Sequence, residues 1–185
     1  NHNIRLGINY HLAKNHQLSF AYTSQLNNTR GTSEDDGDFT SLLRIHAKSQ
    51  FHNFRLDYST PFGFSAGAEY TYYNSPDEQW LKSSLYDEIY DITSQQRIDK
   101  WHAYLKQEHD LGKDWDLNYG INYTTSRDKS SQESNNKSSY GNTIQNEDQM
   151  CFYIGASKSF GQKLTMEASL MEEYYHTPIW DEWNL

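Results

Sequence analysis

Eight stretches of this chain alternate apolar and polar residues with a period of two, and the connections between them run short, long, short, long throughout. A period of two places successive side chains on opposite faces of a strand. Ile4, Leu6, Ile8, Tyr10 and Leu12 share one face, against Arg5, Gly7, Asn9 and His11 on the other. The cleanest stretch sets Leu117, Tyr119, Ile121 and Tyr123 against Asn118, Gly120, Asn122 and Thr124. Strands are expected near 4–12, 17–23, 42–58, 65–73, 100–109, 116–125, 149–158 and 164–172. The short turns are Ala13–His16, Ser59–Gly63, Asp110–Asp114 and Ser159–Lys163. The long polar connections are Asn27–Asp38, Asn74–Asp99 and Ser126–Asp148, the second with room for a short helix. Met171–Leu185 is aromatic and acidic and closes no recognisable element.

A soluble sandwich has no reason to keep that order of connections. A transmembrane β-barrel does, because its short turns lie at one rim and its long loops at the other. Strands of about ten residues match a tilted crossing of an apolar band about 25 Å tall. The expected fold is therefore all-β: an antiparallel up-and-down transmembrane β-barrel of about eight strands, or a fragment of a larger one, with residues 1–185 as a single barrel segment. The mean hydropathy of −0.97 looks too low for a membrane protein. The low value is what such a plan dictates, since half of each strand faces a wet interior and the long connections are polar outright. Tyr10, Tyr22, Tyr58, Tyr72, Trp101, Trp115 and Tyr123 stand near strand ends, as interfacial aromatics do.

The third strand breaks the pattern. Leu43, Ile45 and Ala47 are odd, whereas Phe54, Leu56 and Tyr58 are even. A slip of one residue exchanges the faces, which predicts either a bulge near Ser49–Phe51 or a first half that stands clear of the bilayer.

The inward-facing charged set is Arg5, His11, Arg55, Asp57, Glu69, Lys106, Glu108 and Glu167. These side chains are expected to fill or wet the interior of a barrel, and in a large barrel to line a lumen and touch a plug or solute. Glu34, Asp35, Asp36 and Asp38 surround Gly37 and could offer oxygen ligands to Ca²⁺. The EF-hand spacing fails, because Ala47 occupies the twelfth position counted from Asp36. A solvated charge run is the expected reading.

No His pair at i, i+4 and no G-x-S-x-G motif occurs, so neither a zinc site nor a hydrolase elbow is indicated. No enzyme activity and no cofactor is expected. The sequons at Asn27, Asn122 and Asn136 read as chance matches in a chain rich in Asn, Ser and Thr. The single Cys151 excludes an internal disulfide. A net charge of −9 argues against a nucleic-acid partner. No apolar run approaches the ~18 residues of a spanning helix. The opening Asn1, without a leader, reads as a trimmed protein or an excised piece of a longer one.

Two segments carry a family resemblance. Tyr58-Ser-Thr-Pro-Phe-Gly63 leads into Ala66-Gly-Ala-Glu-Tyr70, and Leu111-Gly-Lys-Asp-Trp-Asp-Leu117 leads into Tyr119-Gly-Ile-Asn-Tyr-Thr124. Each resembles a periplasmic turn and the strand that follows it in the barrel of TonB-dependent outer-membrane receptors. Thr177-Pro-Ile-Trp180 with Trp183-Asn-Leu185 is similar to an Arg-Pro…Leu-Asn-Pro segment of that family, with Thr177 in place of the Arg. The resemblance implies a bacterial outer-membrane location, lipid around the barrel, an N-terminal plug, a TonB-contacting segment and energy-coupled uptake of a small solute. It assigns no ligand-binding residue.

Three functional readings follow. The first is a barrel segment of an outer-membrane receptor or transporter. The second is a self-contained eight-stranded outer-membrane barrel with a structural or adhesive role. The third is a soluble β-barrel binding domain, whose apolar faces would point inward.

Overall fold

The computed structural model describes residues 1–12, 15–35, 41–83, 88–135, 141–161, 164–177 and 181–184. Almost all of them lie in strands: β1 (His2–Leu12), β2 (His16–Asp35), β3 (Ser41–Ser59), β4 (Phe64–Ser83), β5 (Glu88–Gly112), β6 (Trp115–Ser134), β7 (Gly141–Phe160), β8 (Leu164–His176) and β9 (Asp181–Asn184). Each strand pairs antiparallel with its neighbours in sequence, giving one sheet in the order β1 to β9. Among the described residues β1 and β9 do not pair with each other, so the sheet is open.

Cross-strand partners point the same way, so the register fixes two faces. Tyr10, Leu18, Tyr58, Ala66, Leu105, Ile121 and Phe152 stand side by side on an apolar face. Gly7, Ala21, Arg55, Glu69, His102, Thr124 and Gln149 stand side by side on a polar one. Neither face is covered. Among the described residues only Ser24, Cys151 and Gly155 are buried, and no large side chain is fully so. Leu6 is 60% exposed and Leu170 65%.

The register also records a slant. His11↔Gln17 is one step from the turn pair Leu12↔His16, and the hydrogen-bonded row through it reaches Tyr153 in β7. Tyr153 stands seven residues short of the next such turn pair, Phe160↔Leu164. The turn end therefore descends by about one residue per strand. With a rise of about 3.4 Å per residue and strands about 4.8 Å apart, that shear tilts the strands by roughly 35°. Transmembrane barrels tilt their strands by about 35–45°.

Four expectations need correction. The long polar connections are largely strand: β2–β3, β4–β5 and β6–β7 pair up to Asp35↔Ser41, Ser83↔Glu88 and Gln132↔Gly141. A strand with water on both faces needs no apolar alternation, so its sequence carries no period. Where the second connection left room for a short helix, Asn74–Ser83 instead pairs with β5, Pro76 included. No bulge lies near Ser49–Phe51, since β2 and β3 keep one register from Gln17↔Ser59 to Asp35↔Ser41. The change of parity is a change of surroundings along a continuous strand. Finally, β8 continues to His176 and Asp181–Asn184 pairs with it as β9.

The short turns use left-handed backbone. Asn15, Lys113 and Asp114 have positive φ, as do Gly63, Gly112 and Gly161. Asn and Asp tolerate that region best after Gly. The one register shift in β5–β6 lies in such a turn, between Asp110 and Gly112.

The unslipped register has a direct test. Thr29 stands opposite Ala47, so Thr29→Cys with Ala47→Cys, in a Cys151→Ser background, is expected to oxidise to a disulfide. Thr29→Cys with His46→Cys is expected to stay reduced on a non-reducing gel. A bulge at Ser49–Phe51 would reverse the two results.

Candidate functional site

The polar face between the turns and the middle of the sheet carries a network of three neighbouring groups. Arg55 donates to both carboxylate oxygens of Asp57, at 2.7 and 3.1 Å. The Tyr104 hydroxyl donates to Asp57 Oδ1 at 2.7 Å. Asn53 Nδ2 donates to Glu69 Oε1 at 2.7 Å and to Thr71 Oγ1 at 3.0 Å. Lys106 pairs with Glu108. Each charge thus has a partner on its own or the next strand, reached by the two-residue repeat that returns a side chain to the same face.

Close backbone approach sets this network in place. Tyr104 is the cross-strand partner of Gly67, and its ring lies over the space a Cβ on Gly67 would fill. Asp57 Oδ1 stands 2.8 Å from that position. Gly120 repeats the device, with the Tyr153 hydroxyl 2.6 Å from its missing Cβ. Glycine inside a strand commonly marks such an approach. It lets an aromatic ring lie flat along the sheet and deliver its hydroxyl to a carboxylate two strands away.

Of the residues expected on this face, Arg55, Asp57 and Glu69 are brought together, and Lys106 is joined to Glu108. Arg5, His11 and Glu167 lie on the same face, opposite Thr23, Gln17 and Ser157, and stand apart from the network. Asp36 and Asp38 fall outside the described residues, and Asp35 is described only as the end of β2. Tyr104, Asn53 and Thr71 belong to the network without having been singled out. The strand glycine opposite Tyr104 was the available signal.

The apolar face is bounded by two aromatic belts. Toward the long hairpins, Tyr22, Phe54, Tyr70 and Trp101 follow one another with ring centroids 4.7, 6.4 and 4.6 Å apart. Their hydroxyls reach away from the apolar band: Tyr22 to His52 at 2.9 Å and Tyr70 to Asp99 at 2.8 Å, with Tyr123 to Asp148 at 3.0 Å. Toward the short turns, Tyr58 bonds His16 at 2.7 Å and Tyr119 bonds His109 at 3.2 Å. Lys158 lies over Trp115 and Phe160, at 4.8 and 5.1 Å. An apolar body with a wetted polar tip is the chemistry of an interface.

Just beyond the belt, Arg97 donates to Asp99 at 2.9 and 3.3 Å and lies over Tyr72 at 5.2 Å. Partial burial acts to raise the Asp99 carboxyl. The hydrogen bonds from Arg97 and Tyr70 and the charge of Arg97 outweigh it and hold the carboxyl below its ordinary value.

No family model matches the chain, and no curated protein matches it. Among solved structures it is similar to a double mutant of the Serratia marcescens hemophore receptor HasR in complex with its hemophore HasA and heme. That match has 15% identity and a TM-score of 0.55, and covers 94% of this chain and 24% of that one. It is also similar to the β domain of the Bordetella autotransporter BrkA, at 6% identity and a TM-score of 0.49, covering 94% and 78%. BauA, the ferric preacinetobactin receptor from Acinetobacter baumannii, matches at 10% identity and a TM-score of 0.45, covering 97% and 43%. The HasR likeness carries the fold alone: an antiparallel up-and-down barrel wall. The chain spans about a quarter of the length of the HasR chain.

Two outcomes test these contacts. Gly67→Val is expected to push Tyr104 off Asp57 and cost about 1–3 kcal/mol in denaturant unfolding. Gly31→Val, with open space around its Cβ position, is expected to stay within about 0.5 kcal/mol. For Asp99, a depressed folded-state value means stability that is present above the unfolded value and lost as pH falls through the folded one. The stability difference between the protein and Asp99→Asn is therefore expected to shrink on acidification through and below the carboxylate range. A difference independent of pH would contradict this.

Proposed function

We propose that the chain is part of the wall of a bacterial outer-membrane β-barrel of the receptor or transporter kind, serving TonB-coupled uptake of a small solute. The observation that carries the membrane reading is the uncovered apolar face. Removing a Leu, Ile or Phe side chain from water is worth about 1.5–3 kcal/mol, and this face presents Leu6, Ile8, Leu105, Phe152, Ile154 and Leu170 together, each at least 42% exposed. Hydrocarbon is the medium in which such a face is stable without a core. A soluble binding domain would turn these residues inward.

The belts set the height. From Trp115 to Tyr123 along β6 the strand advances about 27 Å, or roughly 22 Å normal to a bilayer at the tilt above, close to the ~25 Å band of outer-membrane barrels. The long hairpins then stand outside and the short turns face the periplasm. The polar face lines the interior, where Arg55, Asp57, Glu69, Lys106 and Glu108, with Arg5 and Glu167 at the flanks, are available to a plug or a solute.

The open edges favour a larger barrel over a self-contained eight-stranded one. In hydrocarbon the outer edge of β1 would leave N–H and C=O groups unpaired, and further strands would satisfy them. The family resemblance of the two turn segments supports the receptor reading, with which the fold shared with a hemophore receptor agrees. A plug and a TonB-contacting segment would belong to the rest of such a protein.

Detergent partition with heat-modifiable gel mobility tests the membrane reading. The chain is expected to enter the detergent phase and to migrate differently before and after boiling; a monomer soluble without detergent would refute it. Phe152→Arg, at the middle of the apolar band, is expected to cost about 2–4 kcal/mol in vesicles. Asn122→Arg, one residue along from Ile121 on the polar face, is expected to cost far less.

A further inference from the structure

We propose that the polar side of β4–β7, beyond the aromatic belt, is a binding site for a neutral oligosaccharide, built around the row Ser75, Gln96, Ser130 and Thr143. The inference rests on the receptor reading above and names the chemical class of its solute.

The register gathers the site. Ser75, Gln96, Ser130 and Thr143 are successive cross-strand partners, so one row of hydroxyls and an amide crosses four strands. Asp77, Ser94 and Gln132 form the next row along the hairpins on the same side. Together they line a groove of about 400 Å³, a size usual for small-molecule sites. Three interstrand gaps of about 4.8 Å make the row about 14 Å long, more than one sugar ring needs. Two residues nearer the belt, Phe51, Tyr73 and Ile98 are successive partners on the same side. A sugar has an edge of hydroxyls and a face of C–H groups. This surface offers polar partners to the first and an apolar platform to the second.

Two carboxylates beside the row want a donor. Asp77 Oδ2 accepts from Gln79 Nε2 at 2.7 Å, and Asp128 Oδ2 accepts from Gln96 Nε2 at 2.9 Å. In each carboxylate the other oxygen, Oδ1, is shut from water and has no hydrogen-bond partner. Such an oxygen bears the cost of its desolvation with nothing in return. Asp77 lines the groove, and Asp128 is held by Gln96, which lines it too. A ligand hydroxyl donates to such an oxygen once the carboxylate turns toward it. The same hydroxyl accepts from a serine or an amide N–H, which no carboxylate or phosphate ligand does in both directions.

Charge decides against an anion. Among the described residues past the belt, Lys100 is the one cation on this side of the sheet, and Asp77, Asp128 and Glu147 are the acids. Lys100 shares its row with Glu147 and stands four residues along β5 from Gln96, or about 13 Å. Arg97, Arg127 and Lys129 are on the opposite side. An anionic chelate in the groove would therefore meet carboxylates and no cation. A site built of hydroxyls and amides selects by hydrogen bonds instead, and rejects an analogue that leaves them unpaired.

The test uses the full chain in detergent micelles, titrated with neutral hexasaccharides of glucose, mannose and galactose, with a galacturonate oligomer of equal length, and with ferric citrate. At least one neutral hexasaccharide is expected to bind tenfold or more tightly than either anion. The Ser130→Leu, Thr143→Leu double variant should lose at least tenfold for that sugar while keeping its heat-modifiable mobility. Ser130→Lys with Thr143→Lys should turn the preference toward the galacturonate, a reversal that damage to the sheet alone does not produce. Lys129→Gln, next to Ser130 on the opposite side, should leave sugar binding as it was. A chain of heat-modifiable mobility that binds none of the neutral sugars would overturn the site, as would an unchanged affinity in the leucine variant. Tighter binding of either anion by the unaltered chain would overturn the choice of a neutral solute. A chain that never enters micelles would overturn the membrane reading, and the inward placement with it, a result distinct from these.

Discussion

Everything in this molecule depends on an antiparallel hydrogen-bonded ladder that has no core beneath it. In an ordinary domain the ladder and the core share the work, because strands that satisfy their backbone groups also bury one face against a second layer. Here the second layer is missing on both sides, and only Ser24, Cys151 and Gly155 are buried among the described residues. The ladder supplies order, register and direction. The energy that a core would supply has to come from the medium on the apolar face and from side-chain pairing on the polar one.

That division explains why the two faces are built so differently. On the apolar face, contacts run sideways through rings and aliphatic chains, and polarity is confined to the belts, where Tyr22, Tyr70 and Tyr123 extend hydroxyls to His52, Asp99 and Asp148. On the polar face, Arg55 is matched with Asp57 and Lys106 with Glu108. The glycines at 67 and 120 let Tyr104 and Tyr153 lie against the backbone. Asp57, Gly67 and Tyr104 are successive partners in one cross-strand row, so the Tyr104 ring passes over the glycine to reach a carboxylate two strands away.

Much of the wall was legible in the sequence because period two is a strong signal wherever one face is apolar. Eight strands, four short turns and the two faces follow from that alone. The hairpin extensions were not legible for the opposite reason. Arg30, Thr32, Gln95 and Gln132 are exposed to water, so nothing selects an alternation that sequence could display. The parity change in β3 was visible, but it has two physical meanings, a slip of register or a change of medium. Only the pairing of Asp35 with Ser41 and of Gln17 with Ser59 in one unbroken register decides between them. The site was legible as a set of charges and not as a network, since Tyr104 and Asn53 join it through geometry that spacing does not encode.

The same change of medium accounts for the placement of charge along the strands. Within the band Arg5, Arg55 and Lys106 are on the polar face. Beyond it Arg30, Arg44, Lys48, Arg97, Arg127 and Lys129 are on the other side of the sheet, and among the described residues past the belt only Lys100 remains on the polar side. Apolar residues make the reverse exchange, for Leu43 and Ile45 face the side that Arg55 and Asp57 occupy lower down. A continuous register forbids explaining this by slippage. On the membrane reading proposed above, two solvents stacked along one strand explain it: hydrocarbon would exclude cations from the outward face up to the belt, and above the belt that exclusion would end.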